Sequence, residues 1–120
     1  MTCLIENICF ILLYNGVSSI RKEDIDHIHP RSLLANAGFE ELVVNSIINY
    51  QLLDYGTNRG EKRDKELLVW IEKSIDSANK EEYLKRHLIP NDSQLWETVS
   101  YVDFIAARGK LIVEKLREVL

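Results

Sequence analysis

The sequence predicts an α+β domain, mostly helical, with a two-strand hairpin-like unit packed among flanking helices. Three observations predict it. Apolar residues recur at helical spacing in the second half of the chain, as in Leu67, Leu68, Ile71 and Ile75. Two short stretches break that period: residues 24–29 alternate polar with apolar, and residues 47–53 are β-branched and aromatic. The 120 residues are 46% hydrophobic and 28% charged. That balance buries a core without disulfides and excludes disordered, collagen-like and coiled-coil chains.

Residues 2–14 are apolar on most sides, the mark of a helix that is fully buried or lacks a partner. Asn15-Gly16 closes it, and a polar connection follows, so that residues 1–20 form an N-terminal helix and its link. Residues 24–29 read as the first strand, stopped by Pro30. Ser32 to Ala37 is a short helix closed by Gly38. Residues 47–53 are the second strand, and residues 54–58 carry turn chemistry. A helix follows from Lys62, with Trp70 beside its apolar stripe, and completes a unit spanning residues 24–77. Residues 81–120 supply the last helices. One runs from Glu81 to His87 and is ended by Pro90; the other runs from Tyr101 to Val119. Without repeats or linkers, residues 1–120 read as a single domain.

Composition excludes several function classes. Cys3 and Cys9 match neither a redox nor a zinc spacing and read as reduced thiols. The apolar run of residues 8–14 is far short of the ~20 residues of a membrane helix. Glu6 is the only charge before that run, so a signal peptide's basic start is missing. The expected setting is cytoplasmic, with no membrane partner. A net charge of −4 counts against a free-standing nucleic-acid binder.

Chemistry concentrates in the two-strand unit, which is too small to bury much, so that polar residues there need not be core residues. Asp26 and His27 are adjacent on the first strand, Asn49 lies on the second, and Asn58-Arg59-Gly60-Glu61-Lys62 opens the next helix. Hydrolytic chemistry needs a base and stabilisation of the developing charge. Imidazole is the side chain whose unperturbed pKa lies near neutrality, so His27 is the natural base. Asp26 and Asn58 offer hard oxygen ligands suited to Mg²⁺ or Mn²⁺. Arg59 and Lys62 follow as phosphate contacts, and Lys62, Arg63 and Lys65, interleaved with Glu61, Asp64 and Glu66, read as a basic patch or a solvated helix face.

The order Asp26-His27-Ile28-His29-Pro30, then Asn49, then Asn58-Arg59-Gly60 resembles HNH nucleases, the ββα-metal fold. Its gaps are close to those of the HNH domain of RNA-guided CRISPR nucleases. Longer strings, among them Thr57-Asn58-Arg59-Gly60-Glu61-Lys62 and Tyr83-Leu84-Lys85-Arg86-His87-Leu88-Ile89-Pro90, extend the likeness from about residue 24 to the C-terminus. They resemble the C-terminal nuclease half of GmrSD-type modification-dependent restriction proteins. The resemblance implies a metal-dependent DNA endonuclease in phage defence. It gives Asn49 the task of bonding loop backbone to hold His27 in place. It also implies a partner, the nucleotide-binding half that precedes the nuclease in such proteins. The chain is then a stand-alone, truncated or excised domain, and the helix of residues 2–14 is a docking face for that partner or a homodimer contact.

Two assignments stay open. His29 is expected on the strand face of His27, either packing or supporting the metal ligands; Asp24 either supports Asp26 or is a solvated strand start. His87 reads as part of a basic helix end, and Trp70 and Trp96 as core. The rival to an active nuclease is a catalytically silent HNH-fold module for DNA binding or assembly.

Overall fold

The computed structural model describes residues 10–14, 24–54 and 57–120, without the side chains of residues 57–59. It is a mostly helical α+β fold with a two-strand antiparallel sheet among helices. Strand β1 (Ile25–His27) pairs with β2 (Tyr50–Leu52), placing Asp26 opposite Gln51 and His27 opposite Tyr50. The strands are shorter than their sequence patterns. The chain bends after His27, and β2 is entered from a 3₁₀ turn, Ile47–Asn49, where Ser46 Oγ accepts the Ile48 N–H at 3.2 Å.

Between the strands lie α1 (Arg31–Asn36) and α2 (Glu41–Val44). Helix α1 stops as Gly38 leads one to expect. Gly38 has φ +95, its N–H bonds Ala35 O at 3.0 Å, and the Phe39 N–H bonds Leu34 O at 3.1 Å. This pair of bonds is a Schellman cap, whose left-handed position suits a residue without Cβ.

After β2 come a π-helical turn (Thr57–Lys62), α3 (Leu67–Val69) with a second π turn (Trp70–Ser74), α4 (Lys80–Arg86) and the long α5 (Tyr101–Val119). The helix expected from Lys62 onward is interrupted, because Arg63 adopts φ +48 and turns the chain before α3. Helix α4 also ends in a Schellman cap, here with Leu88 at φ +53. Leu88 N–H bonds Lys85 O and Ile89 N–H bonds Leu84 O. Leu84 and Ile89 both lie in the main core, the apolar contact that accompanies this cap.

That core joins Ile28 and Leu34 to Leu67, Trp70, Ile71, Trp96, Tyr101 and Phe104. Both tryptophans are buried with their N–H groups bonded, Trp70 to Tyr83 Oη and Trp96 to Pro90 O, each at 2.9 Å. The opposite face of the sheet presents Ile25, Tyr50 and Leu52 to Phe10, Leu13 and Tyr14 and to Ile112 and Leu116 of α5. The apolar side chains Phe10, Leu13 and Tyr14 are therefore covered by this chain itself and are not a free docking face. The rest of the expected N-terminal helix, with Cys3 and Cys9, lies outside the described residues. Among the described residues no helix is long and apolar enough to cross a membrane.

Candidate active site

The end of β1 opens into a cleft of about 460 Å³. Asp26 and His27 line it together with Pro30, Arg31 and Ser32 from the start of α1, and Arg63 and Asp64 from the turn before α3. His27 is half-buried. Its Nε2 lies 2.8 Å from Asn45 Oδ1, and its ring stands edge-on to Tyr50 with centroids 5.1 Å apart. An amide oxygen only accepts, so Nε2 carries the proton and Nδ1 keeps its lone pair. Burial pushes the imidazole below its ordinary range, against the upward pull of the Asn45 bond and the Asp26 charge.

Asn49 is fully buried and bonds three backbone groups. Its Oδ1 accepts the His29 N–H at 2.9 Å, while Nδ2 donates to His29 O at 3.0 Å and Val44 O at 3.3 Å. The Asn49 backbone oxygen also accepts the Ile28 N–H at 2.7 Å. The loop that leaves His27 is thereby clamped to the entrance of β2 and the end of α2.

Asp26 is buried, and one of its oxygens receives two donors. Lys62 Nζ lies 2.9 Å from Oδ2, and Gln51 Nε2 donates to the same oxygen at 2.8 Å. Behind Gln51 the bonds continue in one direction: Trp70 Nε1–H donates to Tyr83 Oη at 2.9 Å, and Tyr83 Oη–H donates to Gln51 Oε1 at 3.3 Å. Indole has only a donor, and a carboxylate only accepts, so the polarity of this chain is fixed at both ends. Burial raises the Tyr83 hydroxyl well above its ordinary range.

Lys62 is placed differently from the DNA contact expected of it. Its ammonium is wholly buried and also donates to His27 O at 3.0 Å and Ile28 O at 3.2 Å. Burial lowers its pKa and the Asp26 charge opposes that shift. Charge pairing decides the placement. A buried ammonium needs an anion and acceptors, and the end of β1 supplies both. Since Lys62 ends the turn Thr57–Lys62, it ties the segment bearing Asn58 and Arg59 to Asp26. The side chains of Asn58 and Arg59 are outside the described residues.

His29 does not share the face of His27. The bend after β1 sends it into the core, edge-on to Phe104 and Tyr101 at 4.5 and 5.6 Å, with Nε2 2.9 Å from Leu95 O. Nε2 therefore donates, Nδ1 is buried without a partner, and burial lowers the imidazole to about 4. It packs rather than supporting ligands. His87, expected at a solvated helix end, is also buried; its Nδ1 is hydrogen-bonded to Tyr14 Oη at 2.8 Å, and burial lowers it to about 3. Asp24 is half-buried outside the cleft lining, and its backbone oxygen accepts the Leu53 N–H at 2.8 Å.

No family model, curated protein or solved structure matches this chain. What the site can do is therefore argued from its own groups.

The described arrangement does not fit a resident divalent ion. Asp26 is already neutralised by Lys62, and among the described residues no group of three or more His, Cys, Asp or Glu side chains could hold a metal. Sequence reasoning missed Asn45, Gln51, Tyr83 and Arg31. Gln51 carried a signal, being the polar residue at the centre of an otherwise apolar strand. Asn45 carried none.

Proposed function

We propose that the chain is an HNH-type nuclease domain that hydrolyses phosphodiester bonds of DNA, with His27 as general base. The observation that carries this reading is the held tautomer of His27 in the cleft. Asn45 Oδ1 accepts the hydrogen bond from Nε2–H, leaving Nδ1 to accept a proton from an attacking water. The new P–O bond forms as the bond to the leaving oxygen breaks, and solvent protonates that oxygen. Asn49 keeps the loop after His27 in place. Arg31 and Arg63 at the cleft walls offer cations to a phosphate in an otherwise acidic chain. Arg59 is a further phosphate contact on this reading, and Lys62 is not.

Mg²⁺ or Mn²⁺, with Asp26 and Asn58 as ligands, enters from the HNH resemblance, as do a cytoplasmic role in phage defence and an N-terminal nucleotide-binding partner that selects the target. The Lys62–Asp26 pair favours a second reading, a catalytically silent HNH-fold module for DNA binding or assembly. Plasmid nicking with Mg²⁺ and with Mn²⁺ separates the two. His27→Ala is expected to lower the rate by about 10²–10⁴-fold, the usual loss for a general base. Nicking that is absent from the unaltered chain, or equal in the variant, rejects the catalytic reading.

A further inference from the structure

We infer that Lys62 is the permanent cation of this site: its ammonium, and not a divalent ion, neutralises Asp26 and shapes the backbone that carries His27, so that the cleft works without a divalent metal. The inference rests on the proposed use of His27 as base and departs from the HNH likeness over the metal.

Three observations carry it. An ammonium has three protons, and Lys62 Nζ directs them to three consecutive residues: Asp26 Oδ2 at 2.9 Å, His27 O at 3.0 Å and Ile28 O at 3.2 Å. The chain leaving β1 is thus wrapped around the cation. No proton is left over for a phosphate, which makes Lys62 a positioning residue for His27. The second observation is charge. Asp26 and Lys62 balance one negative against one positive charge inside the protein, with side-chain exposures of 6% and 0%. A divalent ion on either oxygen of the carboxylate would lie close to the ammonium, whose repulsion offsets the pull of the carboxylate. The third is the chemistry of the lining. Asp26 Oδ2 accepts Gln51 Nε2 at 2.8 Å besides the ammonium. Among the described residues no group of three or more His, Cys, Asp or Glu side chains could hold a metal. The other cations of the cleft are the guanidinium groups of Arg31 and Arg63, which meet a phosphate without one.

Melting and metal titration test this on the unaltered chain, Asp26→Asn, Lys62→Met and the double variant. Either single change leaves a buried charge unpaired and should lower the melting temperature by about 12–20 °C. The double variant removes both charges, keeps the net charge, and should melt above both singles. A double variant no more stable than either single overturns the inference. Calorimetric titration of Mg²⁺ and of Mn²⁺ should give the same isotherm for the unaltered chain and the double variant. A metal site present in the first and lost from the second overturns the inference. Plasmid nicking by the unaltered chain should proceed in EDTA at its rate in Mg²⁺, and nicking that needs the metal overturns the inference too. The double variant should nick at least tenfold more slowly while its DNA affinity, read by fluorescence anisotropy, stays within twofold. An equal loss of affinity would make Lys62 a phosphate contact and not a positioning residue. A chain that nicks neither in EDTA nor in Mg²⁺ refutes the nuclease reading alone, and melting and titration still decide which cation Asp26 holds.

Discussion

Replacing Asn49 by alanine should cost far more than the loss of one side chain suggests. The carboxamide is fully buried and holds three backbone groups, the His29 N–H at 2.9 Å and the oxygens of His29 and Val44 at 3.0 and 3.3 Å. Truncation leaves one donor and two acceptors unpaired away from water. Each unpaired buried group costs about 1–3 kcal/mol, and the orphaned N–H is the least tolerable. A loss of about 3–5 kcal/mol is expected, a large fraction of the ~6–18 kcal/mol typical of a chain this long. With an unfolding entropy of about 0.25 kcal/mol/K, the melting temperature should fall by about 12–20 °C. Asn49→Asp adds a sharper test. It keeps the acceptor for His29 N–H but sets an anionic oxygen against two carbonyls, so it should be less stable than Asn49→Ala at neutral pH. Urea unfolding with an unchanged slope measures both. A loss below ~1 kcal/mol for alanine, or an aspartate variant as stable as the original, refutes the clamp.

Arg31→Ala and Arg63→Ala should each weaken DNA binding and reduce the slope of log affinity against log salt by about one, read by fluorescence anisotropy across a salt series; unchanged slopes would remove them from the DNA path. Gly38→Ala meets no steric obstacle, since nothing lies within 4 Å of an added Cβ, so its cost is purely that of φ +95. It should lose about 1–2 kcal/mol, or about 4–8 °C, in a thermal melt. His29 and His87 are held neutral by burial, at about 4 and about 3, against an unfolded value near ~6.5. The unfolded chain takes up protons first as pH falls, so stability is complete above ~6.5 and declines from there toward pH 4 and 3. At pH 5.5 the two together should cost about 3 kcal/mol, and a urea midpoint that does not move between pH 7.5 and 5.5 would contradict this.

Elements with local signals were legible in the sequence. Pro30 and Gly38 bracket α1, and Tyr101 begins α5 where its apolar stripe begins. The antiparallel sheet followed from alternation in one stretch and β-branched character in the other. The site was legible as a set of residue types but not as a set of directions. His29 was expected beside His27 because alternation was extended past the strand's true end, and the bend at Ile28 sends the ring inward. Lys62 looked solvated, since Glu61, Asp64 and Glu66 surround it in sequence. Its partner lies far upstream, and only the folded chain brings Asp26 to it. The break at Arg63 and the left-handed Leu88 carry no glycine or proline to announce them. In the second case the cap bonds and the packing of Leu88 beside Phe10, Leu13 and Tyr14 offset the strain.

A sheet of two three-residue strands cannot fix the position of its own side chains. Asp26 and His27 are instead fixed by polar side chains reaching in from other elements: Lys62, Gln51 and Asn49, with Tyr83 and Trp70 behind Gln51. Stability alone does not call for such a network. Well-packed apolar residues in place of a buried ion pair are often neutral or stabilising. Apolar substitution of the whole group would, however, leave nothing to orient the carboxylate or to hold the loop after His27. The bond directions argue for orientation. Gln51 and Lys62 both donate to a single oxygen of Asp26, and the line of donors runs from Trp70 outward without reversal. These donors hold the Asp26 carboxylate in one orientation beside the cleft that Asp26 lines with His27.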